Sequence, residues 1–490
     1  MAEKITGVCG EQVIWELDPE TGVMRISGTG PMTNYDRYVP APWEELRAEI
    51  ESIVVEEGVT TISDYSFLKC VKAKTISIPS TATLLGYHCL NRCQSLTKIE
   101  IPEGVRVLES RAFSDCEGLE TIKLPMSLKA IDMKCFPGCT SLKEVVYAGT
   151  EEMWNRIRIS NVKDDNTEFL NVPRVYEGNT SENLVEEYED MIWHREKKEV
   201  IPVLDIAKEI LEQGGDGQMH IIAFENRMDP GIAKKSGDAT LVILPDGQTL
   251  MIDTGDFNIE DKMLAKLKRL NIRSLDHFTV SHSHGDHIGN GIAVANYLYE
   301  QGGNIGTYYY LSERIGKFEP KFGDYIAEHG TKMNRDLRQG DSFELGEVRM
   351  DILGPTEKGR LDYEDNVNNL SIILKLTFGE VSYLTSGDLY RGFERKVVEE
   401  IGDQLKADVM KANHHGIITS TDNKWLDAVD PVLVLAHHDD IGSTTNCEKI
   451  RARGIGYFTT GLYGTMMVSM SKDGSIEMIT EYGDTFSRKK

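Results

Sequence analysis

The sequence has no apolar run long enough to cross a membrane, and its first residues, Met1–Thr6, lack the apolar centre of a secretion signal. It also has no Cys-x-x-Cys pair and no stripe of clustered lysine and arginine. Its 79 acidic side chains outnumber 54 basic ones, which gives a net charge of −25. Proteins that hold long nucleic acids neutralise phosphates with clustered basic side chains. These absences count against a membrane protein, a thiolate metal cage and a binder of long nucleic acid.

The sequence predicts a cytoplasmic protein, because it shows no leader. Its eight cysteines do not require an oxidising compartment. Four of them, Cys70, Cys93, Cys116 and Cys139, occupy one position of a repeat and are expected to be small buried core side chains. A secreted protein from which a leader had been removed would have the same sequence, and that alternative stays open.

A repeat of 23 residues runs through the first part of the chain. Isoleucines recur in phase at Ile53, Ile76, Ile99 and Ile122, each in a minimal strand with alternating aliphatic side chains. A unit this short cannot bury its own apolar face, so neighbouring units must stack into a solenoid. The pattern resembles the BspA-type leucine-rich repeat, which implies a solenoid with short parallel strands and end caps over residues 1–177. Such a domain is expected to bind a protein partner or to present a substrate.

The following residues, 178–214, are rich in acidic side chains and end at Gly214-Gly215. Their thin apolar face is broken by Pro202, which predicts two short helices in an acidic linker. The remaining residues, 215–490, then form a second domain.

Three imidazoles and a carboxylate fall within six consecutive positions of this second domain, from His282 to His287. They follow the apolar segment Asp276–Val280, which reads as a buried strand, so they lie on a loop at a strand end. His282 and His284 can face one cation while Asp286 and the last histidine face a neighbouring one. Imidazole and carboxylate ligands suit zinc, and also manganese or iron. The sequence therefore predicts a site for two divalent metal ions.

This cluster resembles the signature of the metallo-β-lactamase-fold hydrolases, and further motifs between residues 236 and 416 follow in the matching order. They are Gly237-Asp238-Ala239, Asp253-Thr254-Gly255, the histidine cluster, Asn368-Asn369-Leu370-Ser371, Ser386-Gly387-Asp388 and His414-His415-Gly416. The order is most similar to the ComEC-type branch, named for the hydrolase domain of bacterial DNA-uptake channels. The resemblance covers residues 217–475 and implies an α/β fold, the αββα sandwich of that superfamily.

The resemblance also implies roles for single residues. Asp388 matches the carboxylate that bridges the two metals, and His415 matches the last ligand because it directly precedes glycine. His414 is then left to contact substrate or to protonate a leaving group, although the two histidines can exchange these roles. Asp253 is expected to orient a ligand histidine by accepting its free N–H, and an ordinary turn residue is the equal alternative.

One departure from the wider superfamily precedes Asp388. Asn369 stands where many members carry another histidine, as it does in the ComEC-type branch. An amide is a weaker ligand than imidazole, so the cation held by the first two histidines is expected to be more open to substrate. Asn369 and Ser371 are therefore expected to contact substrate. His438, which follows the apolar run Val432–Ala436, is a further candidate, with an acidic rim as the alternative.

These expectations combine into a metal-dependent hydrolase that uses a dinuclear-metal-activated hydroxide. Asp286 would orient the nucleophile and His414 would supply the proton. Two bound cations favour a small anionic substrate, and the ComEC-type resemblance implies a phosphodiester or a small nucleotide. The first alternative is a carbonyl substrate such as a lactone, thioester or β-lactam. The second is a non-enzymatic adhesion or scaffold protein with a vestigial hydrolase domain.

Overall fold

The computed structural model describes residues 3–35, 39–155, 157–159, 166–179, 200–226, 237–311, 318–361, 366–417, 419–438 and 444–489. The chain divides into two compact units, Met1–Tyr188 and Glu189–Lys490. Most of the expected acidic linker, residues 180–199, lies outside the described residues, so its limits and those of its neighbouring domains stay a prediction. Among the described helices, none is both long and apolar enough to cross a bilayer.

In the first unit each repeat adds a short strand to a parallel ladder, as the period predicts. Ile53 pairs with Ile76 and Ile99 pairs with Ile122, so one 23-residue period separates neighbouring strands. A second parallel ladder lies further along each repeat. The solenoid of short parallel strands is therefore confirmed. Its three sheets contain the strands Ile5–Gly10, Val13–Asp18, Val23–Gly28, Ser52–Val55 and Thr75–Ser77; Gly30–Pro31, Val59–Ile62, Leu84–Leu85, Val107–Leu108, Ala130–Ile131 and Arg158–Ile159; and Lys98–Glu100, Thr121–Leu124, Glu144–Tyr147 and Arg174–Tyr176.

The solenoid core is built from side chains that recur at the repeat period. The cysteines are buried free thiols, and Cys93, Cys116 and Cys139 donate to backbone carbonyls of the preceding repeat. Burial raises the pKa of the Cys116 thiol to about 12, as expected for a thiol enclosed by apolar side chains. Short helices at Glu44–Glu49, Glu151–Trp154 and Thr167–Leu170 complete the unit.

The described residues of the second unit form two sheets, one of nine strands and one of seven. In spatial order the larger sheet contains Lys332–Arg335, Ile305–Tyr310, Leu275–Thr279, Thr249–Ile252, Thr240–Ile243, Met219–Ala223, Met466–Met470, Ile476–Thr480 and Thr485–Arg488. The smaller contains Ser342–Leu345, Val348–Gly354, Ile373–Phe378, Val381–Thr385, Val409–Lys411, Leu433–Ala436 and Gly456–Thr459. The predicted strand before the histidine cluster and those before Asp388 and His415 are all present.

The main core of this unit lies between the two sheets. Successive strand residues point to opposite faces, so Tyr383 joins the core between the sheets whereas Leu384 packs among the outer helices, beside Phe393 and Trp425. Helices cover the outer face of each sheet, which gives the expected αββα sandwich. The helical segments are Val203–Glu212, Phe257–Ile259, Glu260–Arg269, Gly285–Ile288, Gly291–Glu300, Phe318–Glu328, Glu357–Leu361, Val367–Leu370, Arg391–Ile401, Gly402–Gln404, Asn413–Gly416, Asn423–Val429, Thr444–Ala452 and Thr460–Tyr463.

We expect Phe136→Ala to destabilise the solenoid by about 3–5 kcal/mol, the usual cost of emptying a buried phenylalanine site. Phe136 is 1% exposed, and its ring is stacked 5.4 Å from that of Phe113 and 4.1 Å from that of Phe169. Alanine would leave a cavity that these neighbouring rings cannot fill without moving. Urea unfolding of the full chain, followed by circular dichroism, measures the change. Val175→Ala, at a position that is 45% exposed, is the control. Equal unfolding midpoints for the two variants would contradict the expectation.

Candidate metal centre

Loops that follow strands of both sheets meet at one edge of the sandwich. Residues 281–287 follow the strand Leu275–Thr279 of the nine-stranded sheet. Asp388 and His415 follow two neighbouring parallel strands of the other sheet. Carboxyl ends of parallel strands lie at the same edge, which is why segments far apart in sequence supply one site.

Four buried side chains, Asp238, His287, Asp388 and His415, place potential ligand atoms within 4.8 Å of one another. Nε2 of His287 and Nε2 of His415 each lie 3.2 Å from Oδ2 of Asp388. These two nitrogens and both Asp388 oxygens are buried and have no hydrogen-bond partner among the described residues. Buried polar atoms are normally paired, so this convergence calls for a bound group. Imidazole nitrogens around a carboxylate fit a divalent cation such as zinc, manganese or iron.

The first two histidines of the cluster lie beside this group. His282 is fully buried, its Nε2 is 3.0 Å from Nδ1 of His284, and its ring centroid is 4.1 Å from that of His287. His284 occupies the N-cap position of the short helix Gly285–Ile288 and is only half-buried. Asp286, also half-buried, approaches Nε2 of His415 to 3.3 Å with its Oδ2. Residues 284–286 are therefore the accessible side of the cluster.

Asp253 fixes the orientation of His287. Its Oδ2 is 2.9 Å from Nδ1 of His287, so we place the proton on Nδ1, which leaves Nε2 free to face Asp388. The same carboxylate accepts from the backbone N–H and the hydroxyl of Ser281, each at 2.7 Å. Asp253 itself has a left-handed backbone, with φ of 58°. This geometry is that of a carboxylate behind a ligand histidine.

Asp238 orients His415 as Asp253 orients His287. The sequence alone did not indicate this role. Its Oδ1 accepts from Nδ1 of His415 at 2.8 Å, and its Oδ2 contacts Nζ of Lys411. Because Oδ1 holds His415 and Oδ2 forms an ion pair with Lys411, we place Asp238 behind His415 rather than among the ligands. The signal was present in the motif Gly237-Asp238: a Cβ at Gly237 would overlap the Asp286 carbonyl, so the motif fits tightly against the histidine loop.

Lys411 is a buried cation that sequence reasoning also missed. Its Nζ donates to the Gly387 carbonyl at 2.7 Å and lies 3.7 Å from Oδ1 of Asp388. A buried ammonium group needs such partners, because an unpaired charge in the interior is very costly. It thereby balances part of the negative charge behind the site.

The carboxylates and imidazoles strongly perturb one another. Burial alone would raise the pKa of Asp388, but His415 and His287 hold it well below its usual range. Burial would lower the pKa of His287, but Asp388 and Asp253 raise it to about 10. Burial and the neighbouring His287 lower the pKa of His282 well below its usual range. The field around Asp388 therefore favours positive charge, as a cation site requires.

Known families match both parts of the chain. Residues 46–157 match the BspA type leucine rich repeat region in six copies, and residues 234–358 match the metallo-beta-lactamase superfamily. The chain joins a BspA-type repeat region to a metallo-β-lactamase domain. This assignment confirms the resemblance found in the sequence and the fold class that it implied.

Two curated proteins resemble part of the chain. "Competence protein ComA" of Neisseria gonorrhoeae is 26% identical over 231 residues, which are 46% of this chain and 30% of that protein. "ComE operon protein 3" of Bacillus subtilis is 25% identical over 177 residues, 36% of this chain and 21% of that protein. The matched segments thus span less than a third of either relative. Among solved structures, the metallo-beta-lactamase fold protein YhfI from Bacillus subtilis is 15% identical, with a TM-score of 0.35 and coverage of 49% of this chain and 95% of that one.

In the metallo-β-lactamase domain His414 and His415 both approach Asp388. The Nε2 atom of His414 lies 3.7 Å from Oδ2 of Asp388, and its Nδ1 is 2.5 Å from the Thr419 hydroxyl. Both histidines have left-handed backbones, with φ of 47° and 57°, and Gly416 follows with φ of 75°. Such conformations cost energy for residues with a Cβ, so the surrounding structure must enforce them.

Two of the residues expected to contact substrate, Asn369 and Ser371, are buried. Asn369 is buried in the turn Val367–Leu370. Ser371 is fully buried, and its hydroxyl accepts from the backbone N–H of Asp388 at 3.1 Å. The Ser371 hydroxyl therefore supports the loop that carries Asp388, and a substrate role for Ser371 stays a prediction.

His438 is half-buried, and its carbonyl accepts from the Gly461 N–H at 2.7 Å. The neighbouring His437 provides the contact with the buried cluster, because its Nδ1 lies 3.6 Å from Oδ1 of Asp238. Its Nε2 donates to the Ala239 carbonyl at 3.0 Å. Burial lowers the pKa of His437 to about 4, so it is neutral near pH 7. A substrate role for His438 stays a prediction.

A buried carboxyl on the helix Arg391–Ile401 holds the histidine turn from behind. Glu394 accepts from Nδ2 of Asn413 at 2.6 Å and from the backbone N–H groups of Thr421 and Asp422, each at 2.7 Å. The Asn413 side chain in turn accepts from the Ser386 hydroxyl, two residues before Asp388. One side chain of the outer helical layer thus ties together both ligand-bearing loops of the seven-stranded sheet.

Burial and the charge of Asp422 raise the pKa of Glu394 from 4.5 to about 7. A carboxyl with a raised folded-state pKa stabilises the fold fully below its unfolded pKa, and this contribution is lost as pH rises through 7. We therefore expect the free energy of unfolding of the wild type to fall, relative to that of Glu394→Gln, by on the order of 2–3 kcal/mol between pH 4.5 and pH 8.

Urea unfolding at several pH values measures this difference. Glu399→Gln, on the exposed face of the same helix, is the matched control and should retain the pH dependence of the wild type. A Glu394→Gln profile parallel to that of the wild type would show that Glu394 is not the group responsible.

Proposed function

We propose that the metallo-β-lactamase domain hydrolyses small phosphodiesters with the help of two divalent cations, zinc in the first place. The convergence of the buried Nε2 atoms of His287 and His415 on Asp388 supports this most directly. Its family adds support, because metallo-β-lactamase-superfamily proteins are metal-dependent hydrolases. The phosphodiester substrate rests on the partial likeness to competence proteins and on the ComEC-type order of motifs.

We assign His282 and His284 to one cation and Asp286, His287 and His415 to the other, with Asp388 between the two. When bound, such cations acidify a water molecule and neutralise charge that develops on the substrate. Each ligand histidine of the second group is held by a carboxylate on its other nitrogen, which fixes the ring before any ligand arrives.

The reacting side is formed by residues 284–286, because they remain half-buried while the rest of the cluster is enclosed. In this proposal Asp286 orients the attacking water at that edge. His414 donates a proton to the leaving group: its ring reaches the same Asp388 oxygen as the ligands, and Thr419 fixes its orientation. Asn369, Ser371 and His438 remain candidate substrate contacts.

For the repeats we propose binding of a protein partner. Side chains at equivalent positions of successive repeats form exposed ladders, such as the ion pairs Lys74–Glu51 and Lys143–Glu120. Exposed pairs of this kind contribute little to stability. The side chains on this surface can therefore differ to suit a partner without loss of the fold.

Turnover assays test the activity and its substrate class. We expect zinc- or manganese-reconstituted protein to hydrolyse bis-p-nitrophenyl phosphate faster than nitrocefin or a lactone. Asp388→Ala and His282→Ala should each lower kcat/KM by more than about 100-fold, since loss of a residue behind a ligand already costs 10- to 100-fold. His329→Ala, at an exposed histidine, is the control and should keep wild-type activity.

Preferred cleavage of nitrocefin or the lactone would favour a carbonyl substrate on the same site. Turnover that survives in Asp388→Ala would refute the site itself.

Metal analysis is independent of the substrate. We expect about two equivalents of metal per chain in the wild type and in His329→Ala, and fewer in Asp388→Ala, because ligand loss weakens binding directly. Inductively coupled plasma mass spectrometry after gel filtration gives the count. A wild type that retains no metal would instead support the non-enzymatic scaffold.

A further inference from the structure

Two exposed phenylalanines stand beside the accessible side of the metal centre. Phe257 is 51% exposed and Phe318 is 38% exposed. A Cβ placed on Gly285 would lie 3.5 Å from Cε1 of Phe257 and 3.5 Å from Cε2 of Phe318. Gly285 separates His284 from Asp286, so both rings lie next to the edge at which we place the reaction.

Phe257 is held in fixed register with the histidine loop. The Thr254 N–H donates to the His287 carbonyl, and Gly255 pairs with Ile288 in a parallel bridge. The Asn290 amide then donates to the carbonyl of Asp256 at 2.9 Å. The backbone that leads into Phe257 is therefore bonded to the segment that carries the ligands.

Phe318 is the first residue of the helix Phe318–Glu328, which holds its position. Four residues on, Phe322 is buried and packs with a ring-centroid distance of 5.0 Å to Phe278 of the strand before the histidine loop. Side chains at i and i+4 share a helix face, so Phe318 is directed toward the same end of the sheet. Both rings are thus positioned by rigid elements although much of their surface is open to water.

We propose that Phe257 and Phe318 form the binding subsite for the nucleobase of a nucleotide phosphodiester. Exposed aromatic rings beside a reactive centre suit a planar, uncharged ring, which they bind by stacking. The phosphate would then lie toward His284 and Asp286. The acidic chain without a basic stripe fits recognition of one nucleotide through its base and phosphate rather than of a long strand through its backbone charge. This proposal rests on the proposed phosphodiesterase activity and specifies its substrate.

The decisive measurement compares three p-nitrophenyl phosphodiesters that differ only in the second ester group, which is thymidine, methyl or hexyl. We expect metal-reconstituted wild type to favour the thymidine ester over both others by at least about 10-fold in kcat/KM, in line with base–aromatic stacking. In the double variant Phe257→Ala/Phe318→Ala the ratio of thymidine to methyl ester should fall by roughly 10- to 100-fold. The pair Phe257→Tyr/Phe318→Tyr keeps the rings and should keep the ratio. Ile14→Ala, an exposed apolar site in the repeat unit, is the control.

Equal rates for thymidine and methyl esters in the wild type, or an unchanged ratio in the double alanine variant, would overturn the subsite. Preference for the hexyl ester would overturn it in favour of an aliphatic group. If the wild type cleaves none of the three, the proposed activity fails, and calorimetry then decides the subsite separately. Thymidine 5′-monophosphate should bind the metal-loaded protein at least about 10-fold tighter than deoxyribose 5-phosphate, and only with the rings present; equal affinities would refute the subsite.

Discussion

Asp388 is the group on which the organisation of the candidate metal centre depends. A carboxylate this deeply buried is very costly unless positive charge surrounds it. Lys411 supplies part of that charge, and a cation held by His287 and His415 would supply the rest. Behind these groups Asp253 orients His287, and Asp238 forms an ion pair with Lys411. The result is an alternating arrangement of buried charges in which the removal of one member leaves its neighbours unpaired.

The backbone at the site is held from outside the sandwich core. Consecutive left-handed residues at His414 and His415 point both rings toward Asp388, and this geometry is unfavourable by itself. Glu394 and Asn413 offset the strain through a hydrogen-bond network that reaches the outer helices. The outer helical layer therefore contributes to ligand geometry as well as to packing.

Much of the architecture could be predicted from the sequence, because its signals are local. The 23-residue period of Ile53 and its equivalents defines the solenoid directly, and the histidine cluster lies in one uninterrupted segment. Asp238 and Lys411 were missed since their roles depend on pairing across segments that periodicity cannot connect. The hydrogen bond of Ser371 could not be predicted for a related reason: a serine near the site looks the same in sequence whether its hydroxyl faces a substrate or a backbone N–H.

The hydrogen bond between Asp238 and His415 joins residues 177 positions apart and links the two sheets. A contact of such sequence separation has a larger loop-closure cost than a local one. The ligand set therefore does not exist in either half of the domain alone, and it is assembled only when the sheets have docked. A cation bound there would bind the native state far better than any partly folded one, so metal supply would shift the folding equilibrium of the whole domain. Assembly of the candidate metal centre and completion of the fold are in this way coupled.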